Sequence, residues 1–133
     1  MGYIQHRSEE SVEDYLETIF ILSQRLPVVR SVDIANHMHF SKPSVSVAMK
    51  NLKGRSYITI SPEGYISLTE TGLSLAQEMY ERHTLFTDWL VSLGVNPETA
   101  AADACRMEHD MSQESFDAIK KFISGLYGKS LHP

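Results

Sequence analysis

Cys105, Glu108 and His109 stand three and four residues apart in the segment ACRMEHDMS. On a helix those offsets share a face, so a thiol, a carboxylate and an imidazole would project toward one point. Sulfur, oxygen and nitrogen donors in one place suit a first-row divalent metal. Taken alone, such a triplet is more often a small buried cysteine beside a surface Glu–His pair than a metal site. Asp14 and Glu17 form a carboxylate pair, three apart, away from most of the apolar stripe of their helix. Such pairs are usually solvated charge. His83 lies four residues after Met79 and three before Phe86, in the register of an apolar stripe. A histidine there is more often a core residue than a ligand. His6, His37, His39 and His132 show no ligand-like spacing.

Catalysis finds little support. The chain has no nucleophile elbow, no Gly-rich phosphate loop and no paired-histidine zinc motif. Cys105 and His109 as nucleophile and base would sit one helical turn apart, with little room for a substrate and an oxyanion site. The expectation is a protein that is not an enzyme.

The elements that must hold these residues follow from periodicity. Val12, Tyr15, Leu16, Ile19 and Phe20 form one helical stripe over Ser11 to Gln24, with Ser11 as N-cap and Pro27 beyond the end. Ser31 caps a short helix, Val32 to Met38. His39-Phe40-Ser41-Lys42-Pro43 reads as a turn and a capped start, Ser41 the cap and Pro43 in the first turn of a helix reaching Arg55. Val45, Ala48, Met49 and Leu52 face inward on it, and Ser44, Ser46, Lys50 and Lys53 face out. Two short helices around a tight turn make a helix-turn-helix. Residues 57–61 and 65–68 alternate as strands about the turn Pro62-Glu63-Gly64, a hairpin placed as a wing.

A long helix then opens at Thr69-Glu70-Thr71-Gly72 and runs to about Leu93, with Leu73, Ala76, Met79, Tyr80, Phe86, Trp89 and Leu90 on its stripe; Gly94 stops it. Asn96-Pro97 starts a helix continuing to about Asp110. Ser112 caps a last one with Phe116, Ile119, Phe122, Ile123 and Leu126 on one side, and Gly125, Gly128 and Pro133 mark a frayed tail. The helices after residue 69 carry more apolar surface than they can bury among themselves, and a dimer contact is the economical explanation. The fold class is mostly α: a winged helix-turn-helix over residues 1–70, then an α-helical dimerisation and metal-binding module over residues 71–133.

Composition sets limits. The 133 residues suit one compact domain or two small modules. The start is polar and acidic rather than a signal peptide, and no apolar run approaches the roughly 18 residues of a membrane span. One cysteine forms no internal disulfide, so a reducing, cytoplasmic setting is expected. A net charge of −5 is awkward for a nucleic-acid binder. Yet between residues 30 and 61 Arg30, Lys42, Lys50, Lys53 and Arg55 face Asp33 alone, a basic island within an acidic chain.

From about Ser11 to Leu126 the chain resembles the DtxR/MntR family of metal-dependent repressors. The segments that carry the resemblance are SVEDYLETIFIL, VDIANHMHFSKPSVSVAMKNL, ISLTETG, YERHTLFTDWL and ACRMEHDMS, in that order. The resemblance implies metal ligands position by position. Asp14 and Glu17 fall where manganese-type members place carboxylates. His83 falls on the ligand histidine of the long helix, and Glu108 and His109 match ligands of both branches. Cys105 matches the cysteine of the iron type, where the manganese type has glutamate. The sequence departs from both branches, since the iron type carries methionine and arginine at the positions of Asp14 and Glu17. Thr87 and Ala101 stand where the iron type uses glutamate and histidine for an ancillary site, and no stretch resembles the SH3-like third domain of many iron-type members.

The implied cofactor is a divalent transition metal, Fe²⁺ first and Mn²⁺ second, with Co²⁺, Ni²⁺ or Zn²⁺ as substitutes and two ions sharing Glu108 as one arrangement. The implied partners are operator DNA and a second copy of the chain, with no membrane. Ser41, Lys42, Lys50 and Lys53 would contact phosphates, while Pro43, Ser44, Ser46 and Val47 approach base edges. Val47 offers a methyl contact to thymine and no hydrogen bond, so DNA shape would carry part of the specificity. Two other readings stand beside this one: a winged-helix transcription regulator indifferent to metal, and a dimeric protein-interaction module.

Overall fold

Proline and glycine set the element ends, and the apolar stripes set what is buried. The computed structural model describes the backbone of residues 2–127 and the side chains of residues 10–126; the expectations on His6, Gly128, His132 and Pro133 lie outside them. The first helix, α1 (Gly2–Arg25), buries Val12, Tyr15, Leu16, Ile19 and Leu22 and ends ahead of Pro27. It begins well before Ser11, which is therefore an interior residue and not its cap. No proline or interior glycine stands between residues 3 and 11 to stop propagation upstream. Burial pushes the Tyr15 phenol above its ordinary pKa.

Next come α2 (Ser31–Met38) and α3 (Lys42–Gly54). The cap of α2 is Arg30, one residue earlier than expected: its backbone N–H donates to Asp33 Oδ2 at 2.9 Å, so the acid three residues on, not the Ser31 hydroxyl, closes the helix start. His39 takes the left-handed conformation (φ 60°) that ends α2 and turns the chain into α3. Ser41 caps α3 as expected, accepting from the Ser44 N–H, with Pro43 in the first turn. The wing is an antiparallel pair, β1 (Ile58–Ile60) and β2 (Ile66–Leu68), with Thr59 opposite Ser67. Gly64 at φ 88° makes its turn. The Ile66 N–H donates to Val29 O at 2.7 Å, tying the wing to the segment before α2.

Three helices complete the chain: α4 (Glu70–Ser92), α5 (Pro97–Met107) and α6 (Gln113–Tyr127). Thr69 starts α4; its hydroxyl oxygen accepts from the Gly72 N–H, and the hydroxyl lies within bonding range of Ser56 O and Tyr57 O. Gly72 is required here, because a Cβ would stand 2.1 Å from Tyr57 O. Asn96 caps α5 by accepting from the Glu98 N–H, and the Ser112 hydroxyl accepts from the Ser115 N–H at the head of α6. The chain divides into two units, Met1–Glu78 and Met79–Pro133, with α4 opening in one and closing in the other.

The first unit is built on Leu16, Ile19, Ile34, Val45, Met49, Leu52, Ile58, Ile66 and Ala76, drawn from all its elements. The second is built on Leu85, Phe86, Ala104, Phe116 and Ile123. Phe86 and Phe116 meet edge to face at 5.7 Å. Several expected stripe residues are not in either core. Leu73 and Tyr80 of α4 are exposed, and Phe122 and Leu126 of α6 are 66% and 60% exposed; Leu85, absent from the expected stripe, is buried. Among the described residues no helix is long and apolar enough to cross a membrane.

Candidate metal centre and DNA-reading surface

The second unit gathers four of the expected ligands. Cys105 lies in the last turn of α5, Glu108 is the C-cap residue of that helix, and His109 follows in the turn; His83 comes from the middle of α4. The helix ends at Met107 rather than near Asp110. Glu108 keeps right-handed helical angles (φ −68°, ψ −23°), so the offsets of three and four still bring the side chains together. Its side chain is wholly buried. Oε2 lies 3.7 Å from His83 Nδ1 and Oε1 lies 3.6 Å from His109 Nε2. A sulfur of Cys105, a carboxylate oxygen of Glu108 and a ring nitrogen of His109 fall within 4.8 Å of one another. Cys105 itself is exposed, open for ligation.

A buried carboxylate is expensive to desolvate, by several kcal/mol, unless it is compensated. Here it is flanked by two imidazoles and a thiol, all of them donors to a divalent first-row ion. The donor set fits such an ion. Asp14 and Glu17 lie on α1, in the first unit, one turn apart; Asp14 is half-buried and Glu17 is buried.

One residue was missed by sequence reasoning. Arg82 is 3% exposed. Its Nη1 donates to Glu108 O at 3.0 Å and to Met111 O at 2.6 Å, and its Nη2 donates to Gln113 Oε1 at 3.1 Å. The guanidinium also covers the Phe116 ring at 5.2 Å. Those bonds hold the turn beyond Met107, where Arg82 serves carbonyls that no helix satisfies. The signal was present: Arg82 follows Met79 by three and precedes Phe86 by four, in the buried register.

The DNA-reading candidates lie on the exposed side of α3. Val45, Met49 and Leu52 are buried, which turns Pro43, Ser46, Val47 and Lys50 outward along one face. Val47 is 68% exposed. Ser41, Lys42, Ser44 and Lys53 are exposed as well. The Ser41 hydroxyl donates to Ser44 Oγ at 2.8 Å, so the two serines order each other at the head of the helix. At the root of the wing, Arg30 lies over the Tyr65 ring at 5.1 Å. A cleft of about 550 Å³ between the end of α1, the wing and Leu73 contains none of the candidate residues.

These features define a winged-helix protein whose second, helical unit gathers metal-type donors. Two family models match. Residues 8–65 match the iron dependent repressor N-terminal DNA binding domain, and residues 69–126 match the iron dependent repressor metal binding and dimerisation domain. The transcriptional regulator MntR of Salmonella typhimurium is 40% identical over 117 residues, covering 88% of this chain and 74% of that protein. The HTH-type transcriptional regulator MntR of Geobacillus thermodenitrificans is 31% identical, covering 85% and 80%. Among solved structures, the manganese regulator SloR superposes with a TM-score of 0.76 at 29% identity, over 85% of this chain and 53% of that one. The chain thus spans about half the length of that solved relative. It belongs to the DtxR/MntR family of metal-dependent transcriptional repressors, and it is not an enzyme.

Proposed function

We propose that the chain senses Fe²⁺ or Mn²⁺ and, as a metal-loaded homodimer, binds operator DNA in the cytoplasm. Residues 1–70 act as the DNA-binding domain and residues 71–133 as the dimerisation and metal-binding domain. The observation that carries the reading is the buried Glu108 carboxylate with His83, His109 and the Cys105 thiol around it. Asp14 and Glu17 complete the ligand set; their support is the match of each to a carboxylate position of the manganese type. Cys105 is the reason for ranking Fe²⁺ first, because a thiolate prefers softer ions. The likeness to the manganese regulator SloR speaks for Mn²⁺.

When bound, a divalent ion would place positive charge beside the buried Glu108 carboxylate. Cys105 would hold the ion as its thiolate, so loading would depend on pH. Loading would favour one separation of the two recognition helices in the dimer, a spacing that fits successive major grooves. Lys42, Lys50 and Lys53, with Ser41, hold phosphates. Pro43, Ser44, Ser46 and Val47 face the bases. Phe122 and Leu126 on α6 offer apolar surface for the second copy.

The test is selection from a random duplex pool by the full chain, anaerobically, with and without Fe²⁺ or Mn²⁺. Enrichment of a two-fold symmetric site only with metal is expected. Equal enrichment without metal would establish a metal-independent winged-helix regulator instead. No enrichment even at low salt would favour a dimeric protein-interaction module.

A further inference from the structure

We propose that Arg82 is a positioning residue of the metal centre, one that fixes how far His83 stands from Glu108 and His109. The inference rests on the metal-sensing reading above.

His83 and Glu108 come from different helices, so their separation is a tertiary distance that neither helix sets by itself. Cys105, Glu108 and His109 are different: their mutual spacing is local to the end of α5. Something must therefore hold the turn after α5 against α4. Arg82 and His83 are consecutive on α4, and their side chains leave the helix about 100° apart. One reaches the Glu108 carboxylate, and the other reaches the backbone carbonyl of the same residue. The guanidinium continues to Met111 O and Gln113 Oε1, spanning the whole turn from the C-cap of α5 to the first residue of α6. Phe116 closes its remaining face.

A planar fork suits this task. Two of its nitrogens address three acceptors on a six-residue stretch in a fixed geometry, which a single ammonium cannot reproduce. Burying a guanidinium costs a great deal unless its donors are satisfied, so the turn must keep its shape for Arg82 to stay buried. The distance from His83 to the Glu108 carboxylate is then set by the rigid α4 backbone between neighbouring residues.

The experiment is a Co²⁺ titration of the full chain, followed by its visible spectrum, on wild type, Arg82→Met and Arg82→Lys. Melting of the metal-free proteins runs alongside. Outer partners of metal ligands typically change affinity by about 10–100-fold. Arg82→Met is expected to weaken Co²⁺ binding by that factor and to alter the ligand-field bands as His83 is displaced. The thiolate charge-transfer band persists, because Cys105 is held by α5 itself. Arg82→Lys keeps the charge and loses the fork, and it is expected to bind more weakly than wild type with the same spectral change. A folded lysine or methionine variant that matches wild type in affinity and ligand-field spectrum overturns the inference. Should the methionine variant fail to fold, the lysine variant decides. A wild-type chain that takes up no Co²⁺ overturns the metal-sensing reading itself, and this inference with it.

Discussion

Replacing Glu108 by glutamine separates shape from charge at the buried carboxylate. The side chain is wholly buried and its oxygens lie 3.7 and 3.6 Å from two imidazoles. In the wild type, free metal at 100 times its Kd stabilises the folded state by about 2.7 kcal/mol. For a chain of this length each kcal/mol moves the melting temperature by about 3–5 °C, so metal should raise Tm by about 10 °C. A unit charge pair about 4 Å apart in a partly screened interior is worth about 4 kcal/mol, and a divalent ion doubles it. Losing the carboxylate charge should therefore weaken binding at least ~100-fold, and the metal-induced shift at the same concentration falls to about 2 °C. The metal-free Tm of the variant is read alongside, to separate loss of ligation from loss of fold. Scanning calorimetry with and without Mn²⁺ or Fe²⁺ reads both quantities. A Glu108→Gln variant that keeps the full metal-induced shift would refute the assignment of this carboxylate as a ligand.

Gly72→Ala places a methyl 2.1 Å from Tyr57 O, where the start of α4 is tied to the wing, and overpacking of this kind costs about 1–3 kcal/mol. A fall in Tm of roughly 4–12 °C is expected, and an unchanged Tm would mean the backbone relaxes freely there. Affinity for selected DNA should fall steeply with salt: Lys42, Lys50 and Lys53 in each of two protomers predict a log–log slope of about −5. Lys50→Ala should reduce that slope by about 2 and leave sequence preference intact, and a slope unaffected by the change would remove Lys50 from the phosphate contacts. Phe116→Ala removes a fully buried ring packed on Phe86 and beneath Arg82, and should cost about 3–5 kcal/mol in urea unfolding; a loss under about 1 kcal/mol would contradict that packing.

Local rules carried much of the fold. Ser41 with Pro43, Asn96 with Pro97, and Ser112 mark helix starts that the structure keeps, because a side-chain oxygen beside orphan N–H groups is a short-range interaction visible in sequence. The hairpin at Gly64 is legible for the same reason. The turn after α5 was not legible: it is held by Arg82, twenty-six residues away in sequence from Glu108, a tertiary contact that no local pattern shows. Surplus apolar surface on the last helices was legible, but not that Phe122 and Leu126 are the residues left outward, since a stripe of period 3.6 names an apolar face and not what covers it. At the site, the Cys105–Glu108–His109 cluster could be read from spacing on one helix. His83 could not, because its approach to Glu108 depends on how α4 and α5 pack.

The most direct test of the central claim is metal content. Wild type and Cys105→Ala are loaded anaerobically with Fe²⁺, Mn²⁺ and Zn²⁺ in separate experiments, dialysed, and their bound metal counted per chain. One or two ions are expected in the wild type, with at least one lost in the variant and Fe²⁺ retention falling more than Mn²⁺ retention, because only the softer ion draws on the thiolate. A wild-type chain that retains no metal of any kind would contradict the account and leave Cys105, Glu108 and His109 as structural residues of a metal-independent regulator.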